Sequence, residues 1–182
     1  MSSSRLIDDL ASVCPPKIKV LVLGMSRTGT MSMKTALDQF GYKTLHASNV
    51  HETPGGFSYW NEAIDAKFYG QGKPYCKLDF DKLLKKYTAI SDMPAILFVD
   101  ELLAAYPEAK VVLTNRDVDD WIVSMNKTIY LILEESLSRF HEVINPRGHG
   151  PFFACVRRVV NIWTGGDIKD REKLRKGYLD HY

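Results

Sequence analysis

The sequence has 182 residues, enough to bury the core of one domain. Hydrophobic residues make up 45% and charged residues 25%, and the formal net charge is +2. That charge predicts neither nucleic-acid binding nor attraction to a membrane surface, so an anion site has to come from local arrangement. No run approaches the ~20 apolar residues of a bilayer span. The opening MSSSRLIDDLASVCPP lacks the apolar core of a secretory signal. Cys14, Cys76 and Cys155 are far apart and show no metal-ligand or disulfide spacing. The expected location is therefore the cytoplasm.

Residues 1–16 read as a short helix or tail ended by Pro15 and Pro16. A strand is predicted over 19–23. A helix follows from about 30 to 40, where Met33, Ala36, Leu37 and Phe40 recur at i, i+3, i+4 and i+7, and Gly41 stops it. A second strand is predicted over 42–46, then a loop over 47–56 and a helix over 57–69. Glycines and a proline break the chain at 70–74. A short helix at 79–86 leads to a third strand at 87–91. Pro94 suits the first turn of a helix at 95–106. KVVLT at 110–114 is the fourth strand, and a long helix is expected from there to about residue 143. A loop at 145–151, an apolar helix at 152–163 and a charged helix at 167–182 complete the reading.

Strands alternating with helices predict a three-layer α/β fold with a central parallel sheet, as a single domain spanning 1–182. Ligands of such sheets bind at the carboxyl ends of the strands. Three candidate constellations fall there.

The first follows strand 1. Gly24-Met25-Ser26-Arg27-Thr28-Gly29-Thr30-Met31 has the outline of a phosphate-binding glycine loop opening a helix. A nucleoside triphosphate loop needs lysine and a metal-binding hydroxyl where this chain has Thr30 and Met31. The loop instead suits a single phosphate held by the N–H groups of Thr28, Gly29 and Thr30, with Arg27 facing the group transferred. The plain alternative is a glycine turn with no ligand.

The second lies in VVLTNRDVDDWIVSM. Asp117 can cap the helix, and Ser124, two turns on, can join Arg116 on one phosphate. The alternative pairs Arg116 with Asp119 or Asp120. The third is Ser91-Asp92-Met93-Pro94, where Asp92 stands as a general base or as a helix cap.

Together these residues resemble the P-loop sulfotransferases, and most closely the sulfotransferase-like proteins common in fungi. The likeness rests on GxxRTGTxSxxxAL at 24–37, DxP at 92–94, and ELxxxYPxAKVxLTxRD at 101–117 with Trp121 after it. It covers roughly residues 18–145. The resemblance implies 3′-phosphoadenosine-5′-phosphosulfate as cosubstrate. It assigns the 5′-phosphosulfate to Ser26, Arg27, Thr28, Gly29, Thr30 and Ser32. The 3′-phosphate falls to Arg116 and Ser124, eight positions apart. No metal is implied.

Many cytosolic members carry a histidine base where this chain has Asp92. His46, at the end of strand 2, is the rival base, or a structural histidine. Arg175-Lys176-Gly177 resembles a further 3′-phosphate motif, or matches it by coincidence. The family continues into another strand, so the expected fold lacks the last C-terminal strand. The two apolar helices then leave surface for a partner, with a homodimer as candidate. The expected acceptor is a small molecule in a pocket lined by 49–60 and 145–153. The rival functions are a truncated non-catalytic nucleotide-binding protein and a P-loop nucleotide kinase or hydrolase.

Overall fold

The computed structural model describes residues 5–12, 14, 16–134 and 149–182. They form two compact units, residues 1–114 and 115–182, each taken by itself. The fold is α/β, as predicted.

The first unit is built on four parallel strands: β1 (Val20–Val22), β2 (Thr44–Leu45), β3 (Ala89–Ser91) and β4 (Lys110–Val112). Their order is β2-β3-β1-β4. Leu21 pairs with Ile90 on one side and Val111 on the other, and Leu45 also pairs with Ile90. Every residue of β1 and β3 is buried, as expected of inner parallel strands covered on both faces. Helix α1 (Thr30–Gln39) supplies Leu37 and Met33 to a cluster with Val20, Val22 and Ala89. Leu21 and Ile90 alternate to the opposite face and are buried there.

The predicted strands are all present, in shorter form, and several helix boundaries differ. The 47–56 segment holds a 3₁₀ helix, Ala47–Glu52, before α2 (Gly56–Phe68). α3 (Lys77–Leu84) begins ahead of 79 because the Asp79 carboxylate accepts the Cys76 N–H at 3.0 Å. The 95–106 helix divides into a 3₁₀ turn, Ala95–Phe98, and α4 (Val99–Ala105). Trp60 was expected in the acceptor pocket. It is instead fully buried, with its ring 6.1 Å from Phe80 and 5.6 Å from Phe98. At the start, a 3₁₀ turn at Leu6–Asp9 is pinned where Glu62 accepts the N–H groups of Leu6 and Ile7.

The second unit contains α5 (Val118–Met125), a π-helical turn at Asn126–Tyr130, and helices Leu131–Glu134, Gly150–Trp163 and Arg171–His181. Residues 135–148, which include the end of the expected long helix and most of the expected 145–151 loop, lie outside the described residues. Trp121 is fully buried against Tyr178 and Trp163, at ring separations of 4.3 and 6.3 Å. The last helix starts later than expected because Asp170 caps it, accepting from Glu172 and Lys173. Among the described residues no helix is long and apolar enough to cross a membrane.

Two glycines of the first loop serve different physical needs. A Cβ on Gly24 would sit 2.1 Å from Thr114 Oγ1 and 2.2 Å from the Thr114 carbonyl oxygen. Gly29 has open space around it but a φ of 92°. Gly24→Ala should therefore cost about 3 kcal/mol or more through overpacking against backbone. Gly29→Ala should cost about 1 kcal/mol, from the left-handed backbone alone. Urea unfolding of the two variants checks the order, and equal losses would contradict it.

Candidate active site

The loop from Gly24 to Gly29 leaves the carboxyl end of β1 and enters α1. The Thr28 N–H donates to the Met25 carbonyl at 3.3 Å, closing a turn with Arg27 inside it. Thr28 Oγ1 donates to the same carbonyl at 2.7 Å and lies 2.8 Å from Thr114 Oγ1, which ties the loop to the end of the β4 segment. Gly29 is the N-cap of α1, and no side chain caps that helix. Its first-turn N–H groups, beginning with Thr30, therefore point out of the helix end with no side-chain acceptor. Arg27 and Ser32 are exposed, whereas Ser26, Thr28 and Thr30 are buried.

The ends of three neighbouring strands meet beside this loop. Ser26 follows β1, Asp92 follows β3 and His46 follows β2, and β3 lies between the other two. Ser26 Oγ donates to Asp92 Oδ1 at 2.5 Å. The other carboxylate oxygen, Asp92 Oδ2, lies 3.1 Å from His46 Nε2. Thr30 Oγ1, at the first residue of α1, lies 3.2 Å from the same Nε2. All four side chains are buried, Asp92 to 4% exposure and His46 to 6%. The two residues read from sequence as rival bases lie in contact with each other, Asp92 hydrogen-bonded to Ser26 and His46 to Thr30.

The tautomer of His46 follows from its other nitrogen. The Ser48 backbone N–H donates to Nδ1 at 3.0 Å, so Nδ1 carries no proton. The neutral ring then holds its proton on Nε2, the nitrogen beside Thr30 and Asp92. Asn49 fixes the same segment, accepting the His46 N–H through Oδ1 at 2.9 Å and donating to the Thr44 carbonyl at 2.9 Å. Burial pushes the imidazole pKa below its ordinary value. The nearby Asp92 charge opposes that shift, and Lys34 and Arg27 reinforce it.

Two residues of this site carry backbone strain. Among the described residues, the non-glycine positions with positive φ are Arg27 at 72° and Asp92 at 67°. Each such position costs about 1–3 kcal/mol and persists where the surroundings fix it. Sequence reasoning missed Ser48 and the role of Thr30. A signal for the former was present in His46-Ala47-Ser48-Asn49, where histidine can act as N-cap to a short helix.

In the second unit Asp117 caps α5 as expected, accepting from Asp119 and Asp120 at 2.9 and 3.1 Å. Tyr178 holds the Arg116 backbone from both sides: its hydroxyl accepts the Arg116 N–H at 3.0 Å and donates to the Arg116 carbonyl at 2.6 Å. Arg175 pairs with Asp119, one of the two carboxylates that the alternative reading offered to Arg116. A Cβ on Gly177 would meet the Trp163 carbonyl at 2.1 Å, which gives the glycine of Arg175-Lys176-Gly177 a packing role. Ser124, on α5, receives the Thr128 hydroxyl on its carbonyl at 2.7 Å. Among the described residues no group of three His, Cys, Asp or Glu side chains is placed to hold a metal ion.

A family model described as a sulfotransferase domain matches residues 19–182. The chain is also 36% identical over 170 residues to "Ava biosynthesis cluster protein M" of Aspergillus versicolor. That alignment covers 91% of this chain and 64% of the relative, so the chain spans less than two thirds of the relative's length.

The lowered His46 pKa predicts a pH dependence of stability. The folded state holds the ring neutral where the unfolded chain, near the ordinary value of 6.5, binds a proton. The histidine's contribution is thus complete above about 6.5 and declines as pH falls below it toward the folded value. Urea unfolding between pH 5 and 8 should show a steeper acid-side loss for the wild type than for His46→Asn. Parallel profiles would contradict this assignment.

Proposed function

The chain belongs to the sulfotransferase domain family, and from that premise we propose that it transfers a sulfuryl group from 3′-phosphoadenosine-5′-phosphosulfate to a hydroxyl or amine of a small molecule. The observation that carries this reading is the Ser26–Asp92 hydrogen bond, which couples a buried carboxylate to the phosphate-binding loop itself. A base fixed to the loop holds the acceptor's proton site at a constant distance from the group being transferred.

The residues fit the donor on several counts. α1 has no side-chain cap, so its first N–H groups remain for an anion. Gly24 brings the loop against Thr114 at a separation that no other residue allows. The donor supplies an activated sulfuryl group and departs as adenosine 3′,5′-bisphosphate. Gly29 and Thr30 hold its 5′-phosphate through backbone N–H groups, while the Thr28 N–H, also expected there, closes the turn on the Met25 carbonyl. Arg27 stabilises the charge that develops on the leaving phosphate oxygen. Arg116 and Ser124 take the 3′-phosphate.

Asp92 receives the acceptor's proton as the new bond to sulfur forms. Both ring nitrogens of His46 are engaged, Nδ1 by Ser48 and Nε2 by Asp92 and Thr30, so no lone pair of the ring faces an acceptor. His46 is accordingly a positioning residue. Its ring packs 3.1 Å from Asp92 Oδ2 and restricts the carboxylate, while Ser26 holds Oδ1. The acceptor is small, and the chain works in the cytoplasm as one functional domain.

Asp92→Asn is the discriminating variant, because asparagine tolerates the left-handed backbone that position 92 requires. Turnover should fall by about 10²–10⁴-fold, the ordinary value of a general base. Bisphosphate affinity measured by calorimetry should stay within about threefold. His46→Gln should lower kcat less than Asp92→Asn does and should shift the acid limb of the pH–rate profile. A thermal-shift series provides the test of ligand class: adenosine 3′,5′-bisphosphate should stabilise the protein, and stabilisation by ATP–magnesium alone would overturn the proposal.

Arg27→Gly separates strain from chemistry. Glycine accepts a φ of 72° freely, so thermal stability should hold or rise. Turnover should fall by about 10²-fold or more, as for loss of a preorganised charge partner. Full retention of turnover would remove Arg27 from the mechanism.

A further inference from the structure

We propose that a cavity outside the edge strand β2, in the first unit, binds a small molecule carrying phosphate or sulfate groups. Its volume is about 520 Å³, within the range of ordinary metabolite sites. The wall is formed by α1, the turn into β2, the 3₁₀ helix Ala47–Glu52 and the segment leading into β3. The residues assigned to donor and base lie elsewhere: Ser26, Arg27, Thr28, Thr30, His46 and Asp92 are all absent from its lining.

The chemistry of the wall is cationic. Four lysines, Lys34, Lys43, Lys85 and Lys86, face two carboxylates, Asp38 and Glu52. Asp38 is already engaged, with Lys34 at 2.5 Å and the Thr44 N–H at 3.1 Å. Lys86 donates to the Glu52 carbonyl at 3.3 Å, not to its carboxylate. Lys43 and Lys85 are exposed and have no carboxylate partner among the described residues. Four lysines against two carboxylates leave the wall with a net positive charge, which favours an anion.

Thr44, in the wall, is 2% exposed, and its backbone N–H and its side chain both bear on the Asp38 carboxylate. Tyr42 and Tyr87 add aromatic surface to the same wall, enough for an organic body and not only a bare ion. Thr44 and Asn49 also hold the segment that carries His46, so an occupant here touches the support of that histidine.

Inorganic pyrophosphate and inorganic sulfate serve as probes, each titrated into ¹⁵N-labelled protein and followed by NMR. The expected result is saturable shifts at the amides of Thr44, Asn49 and Tyr87. These should persist in Arg27→Gly and weaken at least tenfold in the double variant Lys43→Gln/Lys85→Gln. Tighter binding of pyrophosphate assigns phosphate esters as the ligand class, and tighter binding of sulfate assigns sulfate esters. Shifts confined to residues 25–30, shifts that never saturate, or equal affinity in the double variant would each overturn the proposal. Because the readout is separate for cavity and loop, loss of one site leaves the other measurable.

Discussion

A buried carboxylate held between two side chains from neighbouring strands is the constraint on which the site depends. Asp92 is 4% exposed, and a carboxylate removed from water is strongly destabilising unless it is hydrogen-bonded. Ser26 donates to one oxygen, and the His46 ring lies 3.1 Å from the other. Both residues sit just past strand ends, so their reach is set by strand order and register. With β3 between β1 and β2, the three carboxyl ends line up as His46, Asp92, Ser26. A one-residue slip of any of the three strands would turn its terminal side chain to the other face and leave the carboxylate short of a partner. The sheet and the site are thus specified by the same alignment.

The electrostatics of this chain favour a neutral histidine. A protonated ring would turn Nδ1 into a donor facing the Ser48 N–H at 3.0 Å, with the Ser48 hydroxyl at 3.1 Å as its acceptor. It would also add a cation near Lys34 and Arg27, both of which disfavour protonation. The neutral ring satisfies every neighbour: it accepts from Ser48 and turns Nε2 toward Thr30 and Asp92. Positive charge near the loop therefore comes from the Arg27 guanidinium. A histidine whose charge changed with mild acid would make both the base and the loop field vary together.

Much of this arrangement was legible in the sequence, and the limits have physical causes. The glycine loop was readable because Gly24 and Gly29 each mark a backbone requirement that local sequence displays. The parallel sheet followed from the alternation of apolar runs and helical periods. Strand order was not readable, since nothing in residues 44–45 or 89–91 states which strand becomes the inner neighbour of β1. For that reason Asp92 and His46 read as competitors when they are neighbours. Helix starts at 77 and 171 were misplaced because Asp79 and Asp170 act as caps from opposite sides of the boundary, one reaching back to Cys76 and the other forward. Trp60 read as a pocket wall because an aromatic near glycines looks the same in sequence whether it lines a cavity or fills a core. The cationic cavity escaped notice because its lysines come from three separate stretches of chain.

The loop region departs from local stability rules at three points at once. Arg27 and Asp92 both adopt a left-handed backbone that a glycine or asparagine would hold with less strain. Helix α1 starts at Gly29 without a side-chain cap, and the left-handed backbone there, at φ 92°, disfavours the serine or threonine common at helix starts. Among the other described helices, α5 and the last helix are capped by aspartates, while α2, α4 and Gly150–Trp163 also begin without a side-chain cap. An aspartate at position 29 would place a negative charge where an anion would have to sit. Strain at two side chains and an open helix end at the third converge on one patch of a few residues. On the proposed function, that strain holds the backbone N–H groups, the guanidinium and the carboxylate in place for the donor.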